Sequence, residues 1–189
     1  MSEHQTSLFP AEPALPPGFA YRSELLTAGE EQALVERLRD LPFQSFQFQG
    51  YVGKRRVVSY GWQYDFNDRI LRPAEALPEF LLPVRERAAA FAGLPVERFP
   101  HALITEYEAG AGIGWHRDKG VFGEVVGVSL LSACRFRLRR KVGERWERVA
   151  VPLEPRSAYL LRGPARTEWE HSIPESESLR YSITFRTLR

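Results

Sequence analysis

Most of this chain reads as a succession of short strands, which constrains its fold more than any other feature. Candidate strands are Phe46–Tyr51, Arg55–Tyr60, Ala102–Tyr107, Val125–Leu131, Arg135–Arg139, Trp146–Val151, Ala158–Leu161 and Leu179–Thr187. They are rich in aromatic or β-branched residues and separated by Gly, Pro or charged breaks. Lys141-Val-Gly-Glu144 reads as a hairpin turn between two of them. Two helices are expected early in the chain. Thr27-Ala-Gly-Glu30 has the pattern of a capping box, and Leu34, Val35, Leu38 and Leu41 follow at helical spacing until Pro42 stops the run. A second helix is expected over Pro78 to Ala92 with Phe80, Leu81, Val84 and Phe91 inward, its first turns left open by Pro83. Early helices followed by many short strands predict an α+β protein whose sheets form a sandwich or jelly roll.

A chain of 189 residues fits one domain with a real core and is short for two. Residues 1–18, with Pro10, Pro13, Pro16 and Pro17, read as an extended, flexible arm, leaving 19–189 as a single domain. The one cysteine, Cys134, excludes an internal disulfide framework, suits a reducing compartment and is expected to serve packing. No stretch reaches the ~20 apolar residues that span a bilayer, and Met1 to Pro10 lacks the basic and apolar regions of a secretion signal. The expectation is a cytoplasmic monomer without a membrane partner. A net charge of +2 does not by itself call for a nucleic-acid partner. Only Lys54, Lys119 and Lys141 are lysines among the 26 basic residues, a bias read first as genomic composition, with phosphate binding the alternative.

The chemistry begins at His116-Arg-Asp118. In extended backbone, residues i and i+2 project to the same side, so an imidazole and a carboxylate can converge on one ion. A further histidine, His171, lies in Trp169-Glu-His-Ser-Ile-Pro174; of the 4 histidines, His4 falls in the arm. Two neutral imidazoles and one carboxylate leave open coordination positions, the ligand set of non-haem iron(II) oxygenases, with zinc the chemical rival. In Arg180-Tyr-Ser-Ile-Thr-Phe-Arg186, read as a strand, Arg180, Ser182, Thr184 and Arg186 share one face and Tyr181, Ile183 and Phe185 the other. A buried row with two guanidiniums demands anionic partners, which a dicarboxylic co-substrate supplies; an edge strand with solvated arginines is the alternative.

These elements together resemble the AlkB family of iron(II)- and 2-oxoglutarate-dependent dioxygenases: His-x-Asp, a distal His, and Arg-x5-Arg ending in Thr-Phe-Arg. Thr105-Glu-Tyr-Glu-Ala-Gly110, shortly before His116, resembles the family's Asn-x-Tyr-x-x-Gly segment, and the likeness covers roughly residues 50–187. The resemblance implies a double-stranded β-helix with two N-terminal supporting helices, Fe(II) held by His116, Asp118 and His171, and dioxygen as oxidant. It implies 2-oxoglutarate with one carboxylate on Arg180, helped by the Tyr107 hydroxyl, and with Arg186 near its chelating end and Asp118. Thr105 and Ser182 stand where the family usually has Asn, shorter hydrogen-bonding groups in the same co-substrate pocket. Gly120, after Lys119, stands where members that repair nucleobases often carry an acid, so base recognition is not carried over at that position.

On the substrate side, Arg55-Arg-Val-Val-Ser-Tyr60-Gly-Trp62-Gln-Tyr64-Asp-Phe66 resembles the family's nucleotide-recognition lid. As one strand, Tyr60, Trp62 and Tyr64 would make an aromatic strip able to stack on a flipped base, or a packed core face; Phe66 is expected in the core. Arg135, Arg137 and Arg139, with Arg140 and Lys141 at the turn, form a basic row that suits either a phosphate backbone or solvent. The expected activity is oxidative removal of alkyl groups from nucleobases in DNA or RNA. The alternatives are the same chemistry on a tRNA position or a protein side chain, and a non-catalytic jelly-roll metal- or sugar-binding module, against which the Arg180/Arg186 row argues.

Overall fold

The computed structural model describes residues 14–48, 51–66 and 68–189, so residues 1–13 of the expected arm and residues 49–50 of the first expected strand lie outside it. In chain order the elements are β1 (Phe19–Arg22), α1 (Ala28–Arg39), β2 (Gln44–Phe48), β3 (Tyr51–Tyr60), β4 (Trp62–Asp65) and β5 (Ile70–Pro73). Then come α2 (Leu82–Ala92), β6 (His101–Tyr107), β7 (Ile113–His116), β8 (Phe122–Leu130), β9 (Cys134–Val142) and β10 (Arg145–Leu153). The chain closes with β11 (Ala158–Leu161), a short α3 (Gly163–Thr167), β12 (Glu170–Ile173) and β13 (Arg180–Leu188).

Seven strands form a major sheet in the order β1-β11-β8-β13-β6-β3-β2, and four form a minor sheet in the order β10-β9-β12-β7. Every pairing in both sheets is antiparallel. β13 sits centrally in the major sheet and divides its side chains by parity. Tyr181, Ile183 and Phe185 enter an apolar core with Leu34, Leu38, Val84 and Ala88 of the two helices. Arg180, Ser182, Thr184 and Arg186 face a cavity on the opposite side, toward the minor sheet. A second apolar cluster, including Phe136, Leu138, Val149, Tyr159 and Leu161, fills the space between the sheets. The architecture is the expected α+β jelly roll, with two helices backing the major sheet.

The capping box forms as read: the Glu30 backbone N–H donates to Thr27 Oγ1 (3.3 Å) and the Thr27 N–H to Glu30 Oε2 (2.8 Å). The second helix begins later than Pro78. A 3₁₀ turn at Glu79–Leu81 precedes it, and Pro83, which has no N–H to donate, occupies the first turn, where none is needed. The residues just before β1 are fastened to the domain: Pro16 is buried, and the Pro17 and Gly18 carbonyls accept from Ala165 and Arg162.

Tyr60, Trp62 and Tyr64 do not form one strip. Gly61 has φ of 75° and separates β3 from β4; a Cβ there would lie 1.9 Å from the Pro100 carbonyl oxygen. The break sends Tyr60 into the main apolar core, 4% exposed, while β4 pairs with β5 as a separate hairpin.

Candidate metal and co-substrate site

Two strands of the minor sheet carry the imidazoles. His116 ends β7 and His171 lies on β12, directly paired across the antiparallel ladder, which puts both rings on one face with 4.3 Å between centroids. Asp118 follows two residues later, and the ligating atoms of His116, Asp118 and His171 all lie within 4.8 Å of one another. His116 Nδ1 sits 2.9 Å from the Gly114 carbonyl oxygen; a carbonyl only accepts, so Nδ1 carries the proton and Nε2 is left for an ion. Phe136 stacks on the His171 ring at 5.3 Å and limits its rotation.

The electrostatics suit metal binding. Burial lowers the pKa of both imidazoles, pushing His171 down to about 3 with help from His116, so both offer neutral lone pairs. Burial works the other way on Asp118. It is outweighed by Arg186, His171 and His116, which hold the carboxyl well below its ordinary range and keep it ionised. The strongest of these partners, Arg186, donates from Nε to Asp118 Oδ2 at 3.1 Å.

Next to the triad, β13 delivers the cationic row. Arg180 is 1% exposed; its Nε and one terminal nitrogen donate to Ser129 Oγ at 3.2 and 3.0 Å, and its guanidinium lies over the Tyr107 ring at 5.0 Å. Its remaining nitrogen, Nη1, is buried with no partner, and among the described residues no carboxylate pairs with this charge. A buried guanidinium met only by a hydroxyl and a ring is satisfied when an anion enters beside it. Register explains the rest of the pocket: Arg180 is opposite Tyr107, and Ser182 lies between Thr105 and Ser129. A donor set of two imidazoles and one carboxylate, with an unpartnered guanidinium beside it, fits an Fe(II) centre that takes an anionic co-substrate.

The sequence model of the 2OG-Fe(II) oxygenase superfamily matches residues 19–186. The chain belongs to that superfamily. Within it the oxygenase is AlkB-like, a dioxygenase that uses Fe(II), 2-oxoglutarate and dioxygen. It is 26% identical to an "Alkylated DNA repair protein ALKBH8 homolog" of Arabidopsis thaliana, over 92% of this chain and 59% of that protein. It is 30% identical to the "DNA oxidative demethylase ALKBH2" of Bos taurus, over 71% of this chain and 53% of that protein. The chain thus spans little more than half the length of these two relatives. Its fold matches the solved structure of OsALKBH1 with a TM-score of 0.68 at 17% identity, covering 92% of this chain and 100% of that one.

The oxygenase site opens into a cavity of about 1430 Å³. Of the residues expected on the substrate side, Tyr64 and Arg55 line it, whereas Tyr60 and Trp62 do not. Phe66 and Phe46 line it too, the former against expectation: the Phe66 ring meets Tyr64 edge-on at 5.1 Å and Phe46 at 5.4 Å. Cations lie over these rings, Lys119 at 5.6 Å from Tyr64 and 5.3 Å from Phe66, Arg55 at 3.7 Å from Phe46.

Several site residues have no sequence signal. Ser129 holds Arg180 only because β8 pairs with β13. The Tyr159 ring packs on Phe136 at 4.5 Å in the same cavity, where burial, Asp118 and Tyr107 raise its phenol pKa well above the usual range. His101, opposite Arg186 in register and 2% exposed, is held neutral by burial and by Arg186. Arg166, 6% exposed on α3, donates to the carbonyls of Lys119, Phe122 and Gly123 at 2.8–2.9 Å and so holds the loop that follows Asp118.

Proposed function

We propose that this oxygenase removes alkyl groups oxidatively from nucleobases in DNA or RNA. One observation carries the reading: the metal triad and a cluster of three aromatic rings, Phe46, Tyr64 and Phe66, line one cavity, with Arg55 and Lys119 among them. Flat π-faces beside cations suit a base extruded from its strand together with its phosphate, and the printed names of two relatives refer to repair or demethylation of DNA.

When bound, the iron supplies the activation of dioxygen, one oxygen atom going to 2-oxoglutarate as it becomes succinate and carbon dioxide and the other to the substrate carbon. His116, Asp118 and His171 hold the ion. Arg180 takes the distal carboxylate of 2-oxoglutarate through its unpartnered nitrogen, and Thr105, Tyr107 and Ser182 line the same end. Arg186 keeps Asp118 ionised and oriented. Arg55 and Tyr64 face the substrate. An N-methyl group hydroxylated in this way becomes a hemiaminal, which releases formaldehyde and leaves the free amine.

The test is turnover with single-stranded oligonucleotides bearing one N-methylated base, followed by equal release of succinate and formaldehyde. Tyr64→Ala is expected to raise KM about 5- to 150-fold, the value of one stacked base, while succinate formation without substrate and the melting temperature hold. Failure of every methylated oligonucleotide to stimulate succinate release would overturn the reading. A KM change accompanied by an equal loss of melting temperature would assign Tyr64 to packing.

A further inference from the structure

The minor sheet has two faces, and the chemistry above uses only one. His171, Phe136, Leu138, Val149 and Val151 point toward the site and the core between the sheets. Alternation turns the neighbouring residues outward: Arg135, Arg137, Arg139 and Lys141 on β9, Trp146 and Arg148 on β10, Glu170 and Ser172 on β12, and Trp115 on β7. Among these described residues are five cations and a single carboxylate, Glu170, which pairs with Arg139 at 2.7 Å. Arg137 donates to the Ser172 hydroxyl, and among the described residues no carboxylate pairs with Arg135, Arg137, Lys141 or Arg148.

Two details separate this face from an ordinary solvated one. Arg148 stands directly opposite Arg139 in the ladder, beside Arg137, and like charges in such positions destabilise a sheet. The cations are also interleaved with indoles. The Arg139 guanidinium lies 4.3 Å from both the Trp115 and the Trp146 rings, and Arg137 lies 5.1 Å from Trp115. Trp146 is 37% exposed, and Trp115 also lines the reaction cavity. The strip therefore runs without a break from the β9–β10 hairpin to the rim of the site.

We infer that this outer face is a docking track for a single-stranded nucleic acid, with phosphates on the unpaired cations and bases stacked on the indoles. It would hold the strand that flanks the base in the cavity. The inference rests on the nucleobase reading above and adds to it a second contact region outside the cavity. A phosphate on Arg148 neutralises the cation that faces the Glu170-paired Arg139, and the π-faces accept any base, so the track is blind to sequence.

The experiment compares wild type with the triple variant R135Q/K141Q/R148Q, which changes only exposed side chains outside the cavity lining. The probes are a fluorescein-labelled single strand of about 20 nucleotides with one N-methylated base and a trinucleotide with the same base. The triple variant is expected to bind the long strand at least about tenfold more weakly at low salt. Its log K against log salt slope should fall by about 2, since each lost single-strand phosphate contact contributes about 0.7. The KM for the trinucleotide should stay within about twofold, because so short a strand ends before it reaches these cations, and an equal loss on both lengths overturns the track. Unchanged long-strand affinity and slope, in a wild type that turns over both lengths, also overturn the track and leave the nucleobase reading intact. A wild type that turns over neither length overturns both.

Discussion

The guanidinium of Arg180 is 1% exposed and, among the described residues, meets the Ser129 hydroxyl and the Tyr107 ring while one nitrogen stays unpartnered. A charge held this way costs stability in the unliganded protein and strengthens binding of an anion. The two effects separate on substitution. Arg180→Met is expected to leave the ligand-free protein as stable as wild type or more so in urea, because an apolar side chain of similar length needs no anion. Its affinity for 2-oxoglutarate should fall by at least about tenfold, the loss of a charged pair contributing roughly 1.5–3 kcal/mol. Arg180→Lys should fall nearly as far, since it keeps the charge but loses the fork. Calorimetry with 2-oxoglutarate beside urea titration checks both, and wild-type affinity in Arg180→Met would end the assignment. The sequence shows this residue and Arg186 because strand parity sorts them onto one face. It could not show Ser129, whose role depends on which strand lies beside β13.

At the scale of elements, the hydrophobic and turn patterns locate α1 and the strands β6, β8, β9, β10 and β13 because each buries a periodic face, whereas the expected strand Phe46–Tyr51 merges the end of β2 with the start of β3. The short strands β1, β5, β7 and β12 go unread, whereas β11, also four residues long, is read because its Ala-Tyr-Leu-Leu run is wholly apolar. So few residues cannot establish a period, yet β7 and β12 carry two of the metal ligands. The five-residue α3 is equally silent, and Arg166 on it binds the three carbonyls of the loop after Asp118. Arg166→Met strips that loop of a charged donor and leaves buried carbonyls unmet. The expected cost is about 3 kcal/mol in urea unfolding. Affinity for Co(II), read from its visible absorption, should weaken about 10- to 100-fold, as when groups that orient metal ligands are lost. Arg117→Ala, an exposed side chain with one bond to the Thr167 carbonyl, is the control and should change little. Wild-type Co(II) affinity in Arg166→Met, with only stability lost, would reduce this residue to scaffolding.

For the whole molecule, the buried site couples stability to pH. The folded pKa of His171 is about 3 against an ordinary 6.5, and those of His116 and His101 are also lowered, with burial the first cause in each. A histidine with a depressed folded pKa binds fewer protons folded than unfolded, so its contribution is complete above about 6.5 and is lost as pH falls toward the folded value. Asp118, also depressed, keeps its contribution until pH drops below its ordinary value of 3.8. Both kinds of group therefore oppose acid, the histidines first. In EDTA, the urea midpoint is expected to fall steadily between pH 7 and 5, with up to about 1.4 kcal/mol per pH unit from each such group. His171→Asn should flatten that dependence. A midpoint independent of pH over this range would mean that the imidazoles are not held neutral in the folded protein.

Residue type and spacing alone set the chemistry this protein can carry: two histidines and an aspartate that can hold an ion, and a strand whose alternation puts two arginines on one side and three apolar residues on the other. Those are properties of residue type and local spacing, and backbone geometry preserves them in any strand. What stands opposite them depends on the folded chain. Strand order placed Ser129 against Arg180 and left one of its nitrogens bare, and pairing of β7 with β12 brought the imidazoles together. A left-handed glycine, Gly61, turned Tyr60 into the core while Tyr64 and Phe66 reached the cavity. Contacts between segments far apart in the chain depend on register and closure, and neither is written in the spacing of residues along it.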